Sequence, residues 1–122
     1  MPPATVLIID DDSRHLGMHS RILSHAGFRT ITATAGGNRL LIPEHEVPSI
    51  ILIDYRLDAT LNCREVISML RQQYPLARIA LLSSMPDLPN DVRGSVDAFI
   101  RKGDPEAIIA STCQLINGNK SK

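Results

Sequence analysis

Short apolar runs alternate with amphipathic stretches along most of the chain. Thr5-Val6-Leu7-Ile8-Ile9 is rich in β-branched residues and unbroken by polar ones, the pattern of a strand buried on both faces. Leu16, His19, Ile22, Leu23 and Ala26 then recur at helical spacing, and Gly27 stops that helix. Arg29 to Thr34 reads as a second strand. Arg39-Leu40-Leu41-Ile42 has helical character, limited by Pro43. Ser49 to Ile53 is a third buried strand. Arg64 to Tyr74 is helical, with Val66, Ile67 and Leu70 inward. Arg78 to Leu82 is a fourth strand and Asp97 to Arg101 a short fifth. Between them Pro86, Pro89 and Gly94 leave room only for a short or irregular helix. Pro105 opens a last helix whose inward face is Ile108, Ile109, Thr112, Leu115 and Ile116.

Strands that alternate with helices call for parallel pairing, right-handed crossovers and helices on both faces. The expected architecture is α/β: a doubly wound, five-stranded parallel sheet with about five helices. The 122 residues suit one domain, with a core from about 5 to 117 and a polar tail at 118–122 that frays.

Composition narrows the function. Thirteen basic and thirteen acidic residues cancel, which argues against a chain that holds nucleic acid by its own charge. Aromatic residues make up only 3%, too few for a base-stacking surface. No apolar run approaches the ~20 residues of a membrane span, and no signal peptide is visible. Cys63 and Cys113 lie far apart with no ligand partners nearby, as expected of reduced thiols in the cytoplasm. His15, His19, His25 and His45 show no ligand spacing with a carboxylate and read as surface or interface residues.

In an open parallel sheet, ligands bind beyond the carboxyl ends of the strands. The polar residues there are Asp10 and Asp11, Asp54, Ser83, and Lys102 just after the fifth strand. Asp12 or Ser13 reads instead as a helix N-cap. Clustered carboxylates need a compensating charge, and a hard divalent cation such as magnesium supplies it. Lys102 suits a phosphoryl oxygen and Ser83 offers it a hydroxyl. Asp54 can attack phosphorus and form an acyl phosphate.

Four runs, each closing an expected strand, resemble the receiver domains of two-component response regulators, the CheY-like superfamily. They are Val6-Leu7-Ile8-Ile9-Asp10-Asp11-Asp12, Ile51-Leu52-Ile53-Asp54-Tyr55-Arg56-Leu57, Ile79-Ala80-Leu81-Leu82-Ser83-Ser84 and Asp97-Ala98-Phe99-Ile100-Arg101-Lys102-Gly103. Each is weak alone, but their order is specific, and the resemblance spans Val6 to about Ile116. It implies a flavodoxin-like (βα)5 fold and a cytoplasmic phosphoprotein of phosphorelay signalling. Asp54 would be the phosphoacceptor, with Lys102 and Ser83 on the phosphoryl group. Asp10, Asp11, Asp54 and the backbone carbonyl of Arg56 would hold Mg2+. Ser83 and Phe99 would form the switch. The implied partners are a histidine kinase or phosphotransfer protein, and an output domain, a downstream protein or a second copy in a homodimer. Direct nucleic-acid and membrane contacts are not implied. The domain would be no enzyme beyond its own phosphorylation and dephosphorylation.

Several positions depart from the family pattern. Asp58 stands where proline is frequent, Cys63 where glycine is, Ser83 where threonine is. Gly103 replaces the proline that often follows the lysine, and the segment around Met85 to Ser95 is short. That segment motivates an alternative, a pseudo-receiver acting as a phosphorylation-independent interaction module. A small aspartate-dependent phosphohydrolase fits worse. Arg56 stands where such enzymes need a general acid.

Overall fold

The computed structural model describes residues 4–10, 12–36, 39–40, 47–55, 63–83 and 94–116. The elements in chain order are β1 (Thr5–Asp10), α1 (Ser13–His25), β2 (Arg29–Gly36), β3 (Arg39–Leu40), β4 (Ile50–Asp54), α2 (Cys63–Gln73), β5 (Arg78–Ser83), β6 (Ala98–Arg101) and α3 (Pro105–Ile116). The sheet order is β3-β2-β1-β4-β5-β6. β2, β1, β4, β5 and β6 are parallel, and β3 pairs antiparallel with the end of β2.

The five parallel strands and their order are those of a flavodoxin-like sheet. The helical reading of Arg39-Leu40 is overturned, because these two residues pair with Ala35 and Gly36 as a strand. A stretch so short carries no resolvable period, so pairing with a neighbouring strand decides its state. Of the segment Met85 to Ser95, where the short or irregular helix was expected, 85–93 lie outside the described residues, as do the tail and His45.

Pleating divides the core. Leu7, Ile9, Ile31, Ile51, Ile53, Ile79 and Leu81 face α2, meeting Val66, Ile67 and Leu70. Val6, Ile8, Ile50, Leu52, Ala80, Leu82 and Ile100 face the other way, with Leu16 and Leu23 of α1 and Ile108 of α3. β1 and β4 are therefore buried on both sides, which is why they read as continuous apolar runs. At ~25 cal/mol per Å2 of apolar surface, full burial of each such Leu or Ile contributes about 2 kcal/mol.

Helix ends fix where the strand ends point. Asp12 caps α1, accepting the backbone N–H of Arg14 at 2.9 Å. At the other end the N–H of Gly27 bonds to Ser24 O, and that of Phe28 bonds to Leu23 O, both at 3.1 Å. This is a Schellman closure, and Gly27 meets its need for a positive φ, at 102°. Phe28 packs on the same cluster as Leu23, the apolar contact that accompanies the motif. Asp104 caps α3 through the N–H groups of Glu106 and Ala107. Gly103 sits at φ 92°, a conformation closed to proline, so this turn takes a different path from a Lys-Pro turn.

Two readings on the first helix differ from the structure. Ala26 is exposed, because the chain has already left the helix at its cap. His19 is 1% exposed, as its helical spacing with Leu16 and Leu23 predicts, and its reading as a surface or interface residue is overturned. It lies on the same face of α1 as Leu16 and Leu23, and helix geometry takes it inward whatever its polarity.

Candidate functional site

The strand order reverses between β1 and β4, and the crevice at such a switch point is where an open parallel sheet binds ligands. Asp10 ends β1 and Asp54 ends β4. Each follows a residue that faces α2, so the pleat turns both carboxylates toward α1 and α3. Asp10 is 1% exposed and Asp54 3% exposed.

Lys102 leaves the end of β6 held by its own backbone, whose N–H bonds to Ser83 O at 2.9 Å. Its ammonium Nζ lies 3.1 Å from Asp54 Oδ2 and 3.7 Å from Asp10 Oδ2. Ser83 ends β5 beside it and is 3% exposed. Tyr55, just past Asp54, is tied to the same strand through its N–H to Leu82 O at 2.9 Å. Four of the expected site residues, Asp10, Asp54, Ser83 and Lys102, therefore meet at one end of the sheet. Phe99 pairs in register with Leu81 and packs, partly buried, on the α2 side of the core. Asp11 and Arg56 lie outside the described residues.

The electrostatics are tense. One oxygen of Asp10, Oδ1, accepts the N–H of Asp12 at 3.0 Å. The other, Oδ2, is buried without a hydrogen-bond partner. Burial, more than any other influence, raises the Asp10 pKa from 3.8 to about 6, and the neighbouring Asp54 charge pushes the same way. The Asp12 N–H and Lys102 oppose that rise. Asp12 has its pKa lowered, chiefly by the Arg14 N–H that it caps.

Sequence reading missed His15. Its Nδ1 lies 3.6 Å from Asp10 Oδ2 and its Nε2 3.8 Å from Asp12 Oδ2, so it does have carboxylate neighbours. The available signal was the i,i+3 spacing from the capping Asp12, which puts a side chain back over the helix start. His19 lies near it, the two ring centroids 6.4 Å apart. Burial first, then Lys102 and His15, lower the His19 pKa and favour a neutral ring. His15, His19 and Lys102 line a cavity of about 290 Å3 with Met18 and Gly103.

A cation fits this donor set. A buried carboxylate oxygen with no hydrogen bond and a raised pKa is what a bound divalent ion would satisfy. Among the described residues, no group of three His, Cys, Asp or Glu side chains is placed to hold a metal, so they supply only part of a coordination shell.

No model of a protein family matches the chain. A receiver domain of the CheY-like kind from Methanospirillum hungatei JF-1 superposes with a TM-score of 0.79 at 18% identity, covering 97% of each chain. The chain has the receiver-domain fold. A Burkholderia pseudomallei response regulator, described with a phosphorylated aspartic acid, a calcium ion and citrate, superposes at a TM-score of 0.72. It is 20% identical, with 96% of this chain and 68% of that one covered. In sequence, the chain is 33% identical over 79 residues to the photosynthetic apparatus regulatory protein RegA of Rhodobacter capsulatus. That match covers 65% of this chain and spans 42% of the relative's length. Among the described residues, no helix of this receiver fold is long and apolar enough to cross a membrane.

Proposed function

We propose that the chain is a phosphoacceptor domain of response-regulator signalling, carrying phosphate on Asp54 with magnesium held at the Asp10 side. The observation that carries this reading is the contact of Lys102 Nζ with Asp54 Oδ2 at 3.1 Å, beside Asp10 at the switch point. Magnesium would supply charge neutralisation to the transferring phosphoryl group, through Asp10, Asp11, Asp54 and the Arg56 carbonyl. Asp54 forms the O–P bond with one carboxylate oxygen. The donor's bond to phosphorus breaks, and the donor leaves with its electron pair. The lysine ammonium, already placed on Asp54, offsets charge on a phosphoryl oxygen. Ser83, held on the backbone beside Lys102, donates its hydroxyl to another and couples the site to Phe99. The fold likeness and the partial match to a regulatory protein support the signalling class. The Burkholderia relative, with its phosphorylated aspartic acid, supports the chemistry.

The donor is a histidine kinase or phosphotransfer protein, and the recipient of the signal an output domain or downstream protein, in the cytoplasm. Turnover is limited to the domain's own phosphorylation and dephosphorylation. The purified chain incubated with acetyl phosphate and magnesium gains one phosphoryl adduct in its intact mass. The adduct is lost in Asp54→Ala and without magnesium. Absence of the adduct, under conditions that label another receiver, refutes the reading in favour of a phosphorylation-independent interaction module.

A further inference from the structure

We infer that the chain carries a second binding site, for a small monocarboxylate with an apolar body, at the end of the sheet opposite Asp54. Arg78 anchors the carboxylate there. The inference goes beyond the phosphoacceptor reading and uses no residue of that site.

In a parallel sheet with crossover helices, the strands start and the helices end at the same rim. Ile50 opens β4 and Arg78 opens β5, while Ile116 closes α3. Around them lies a cavity of about 390 Å3, walled by Val47, Pro48, Leu76, Leu115 and Ile116. That volume is in the range of small-molecule sites, and such sites are mostly apolar with a few placed polar groups. Among the described residues, the two most exposed large apolar side chains are Leu76 at 95% and Val47 at 77%, and both stand at this one cavity. Ile50 and Asp54 are the two ends of β4, ~13 Å apart along the strand, so the cavity is separate from the phosphoacceptor.

Arg78 supplies the charge. Of the arginines whose side chains are described, Arg71 and Arg78 are half-buried and the rest are exposed. Arg71 gives its guanidinium to Asp97 Oδ2 at 3.1 Å and to Ser95 O at 2.9 Å. Among the described residues, the Arg78 guanidinium has no hydrogen bond and no ion pair. A cation partly withdrawn from water beside apolar walls is best matched by an anion that brings apolar surface of its own. The planar guanidinium fork fits a carboxylate through two parallel hydrogen bonds. One guanidinium balances one negative charge, so it would leave a phosphate dianion half neutralised. The backbone donors at this rim are already used. The N–H of Arg78 goes to Ser49 O at 3.0 Å, that of Ser49 to Thr5 O at 2.9 Å, and that of Arg29 to Ala4 O at 3.0 Å. The lining side chains therefore offer a ligand the Arg78 fork, the Ser49 hydroxyl and otherwise apolar contact.

The test titrates octanoate into the whole chain by calorimetry, with acetate, octanol and inorganic phosphate as controls. Octanoate binds one to one. Acetate lacks the apolar body and octanol lacks the charge, so each binds at least tenfold more weakly, and phosphate does not displace octanoate. Arg78→Gln weakens octanoate binding about tenfold. Arg78→Lys weakens it severalfold, because a point charge replaces the fork. Leu76→Ser weakens it through lost apolar contact. Circular dichroism of each variant checks that the fold is intact. In amide NMR spectra of the wild-type chain, the shifts caused by octanoate gather at Ser49, Ile50, Arg78 and Ile116. No binding of octanoate at millimolar concentration, or equal binding by a folded Arg78→Gln, overturns the inference and leaves Arg78 a solvated surface cation. Self-association that Leu76→Ser abolishes, with no octanoate bound, also overturns it and gives this face to a second copy of the chain.

Discussion

Asp10 is a group the fold holds at a cost, and the cost can be worked out. Its carboxyl titrates at 3.8 when free and at about 6 in the folded chain, mainly because burial strips its water. At ~1.4 kcal/mol for each tenfold, keeping Asp10 ionised at neutral pH costs the folded state about 3 kcal/mol. Asp10→Asn removes that charge. The amide oxygen still accepts the Asp12 N–H now bonded at 3.0 Å, and Lys102 keeps its ion pair with Asp54. The variant is therefore more stable than wild type at pH 7.5 by up to about 3 kcal/mol. In urea, with slopes of ~1–3 kcal/mol per M, a gain of that size raises the midpoint by roughly 1–3 M.

The sign of the pH dependence follows from the raised pKa. The folded chain binds a proton at Asp10 more tightly than the unfolded chain does. The penalty is complete above about pH 6, shrinks as Asp10 protonates, and vanishes below 3.8. Acidification from pH 7.5 to 4 therefore closes the gap between wild type and variant. Urea unfolding in EDTA at pH 7.5, 5.5 and 4 measures it. Adding magnesium then stabilises the wild type by binding the ionised carboxylate, and the variant much less. A variant no more stable than wild type at pH 7.5, or a gap that stays constant down to pH 4, refutes the argument.

Two further substitutions test the frame around the site. Gly27→Ala places a Cβ at φ 102° with no atom within 4 Å of it, so its loss of about 1 kcal/mol is purely conformational. An unchanged thermal midpoint would show that the Schellman closure is not strained. Asp97 accepts the Ile79 N–H at 2.8 Å and the Arg71 guanidinium at 3.1 Å, joining α2 to the start of β6. Asp97→Ala destabilises the chain by about 1–3 kcal/mol and Asp97→Asn by less, since an acceptor remains. Equal losses in denaturant for the two variants would count against that account.

The strand ends were legible because the interior left no other choice. A strand buried on both faces admits a carboxylate only where it emerges, so Asp10 and Asp54 announced both their strands and their site. Lys102 was legible by the same reasoning, one residue past β6. What the sequence hid is on the helices. The helical spacing put His19 with Leu16 and Leu23, where it is buried, while its polar ring alone suggested a surface or interface residue. His15 meets Asp10 only once β1 and α1 are folded against each other, and no local spacing encodes that approach. Arg39-Leu40 failed for a different reason, since its state is set by pairing with β2 rather than by any period. The carboxylates at the ends of β1 and β4 thus mark the switch point, where an open parallel sheet binds its ligands. The residue that faces them from α1, His15, comes within 3.6 Å of Asp10 and is visible only in three dimensions.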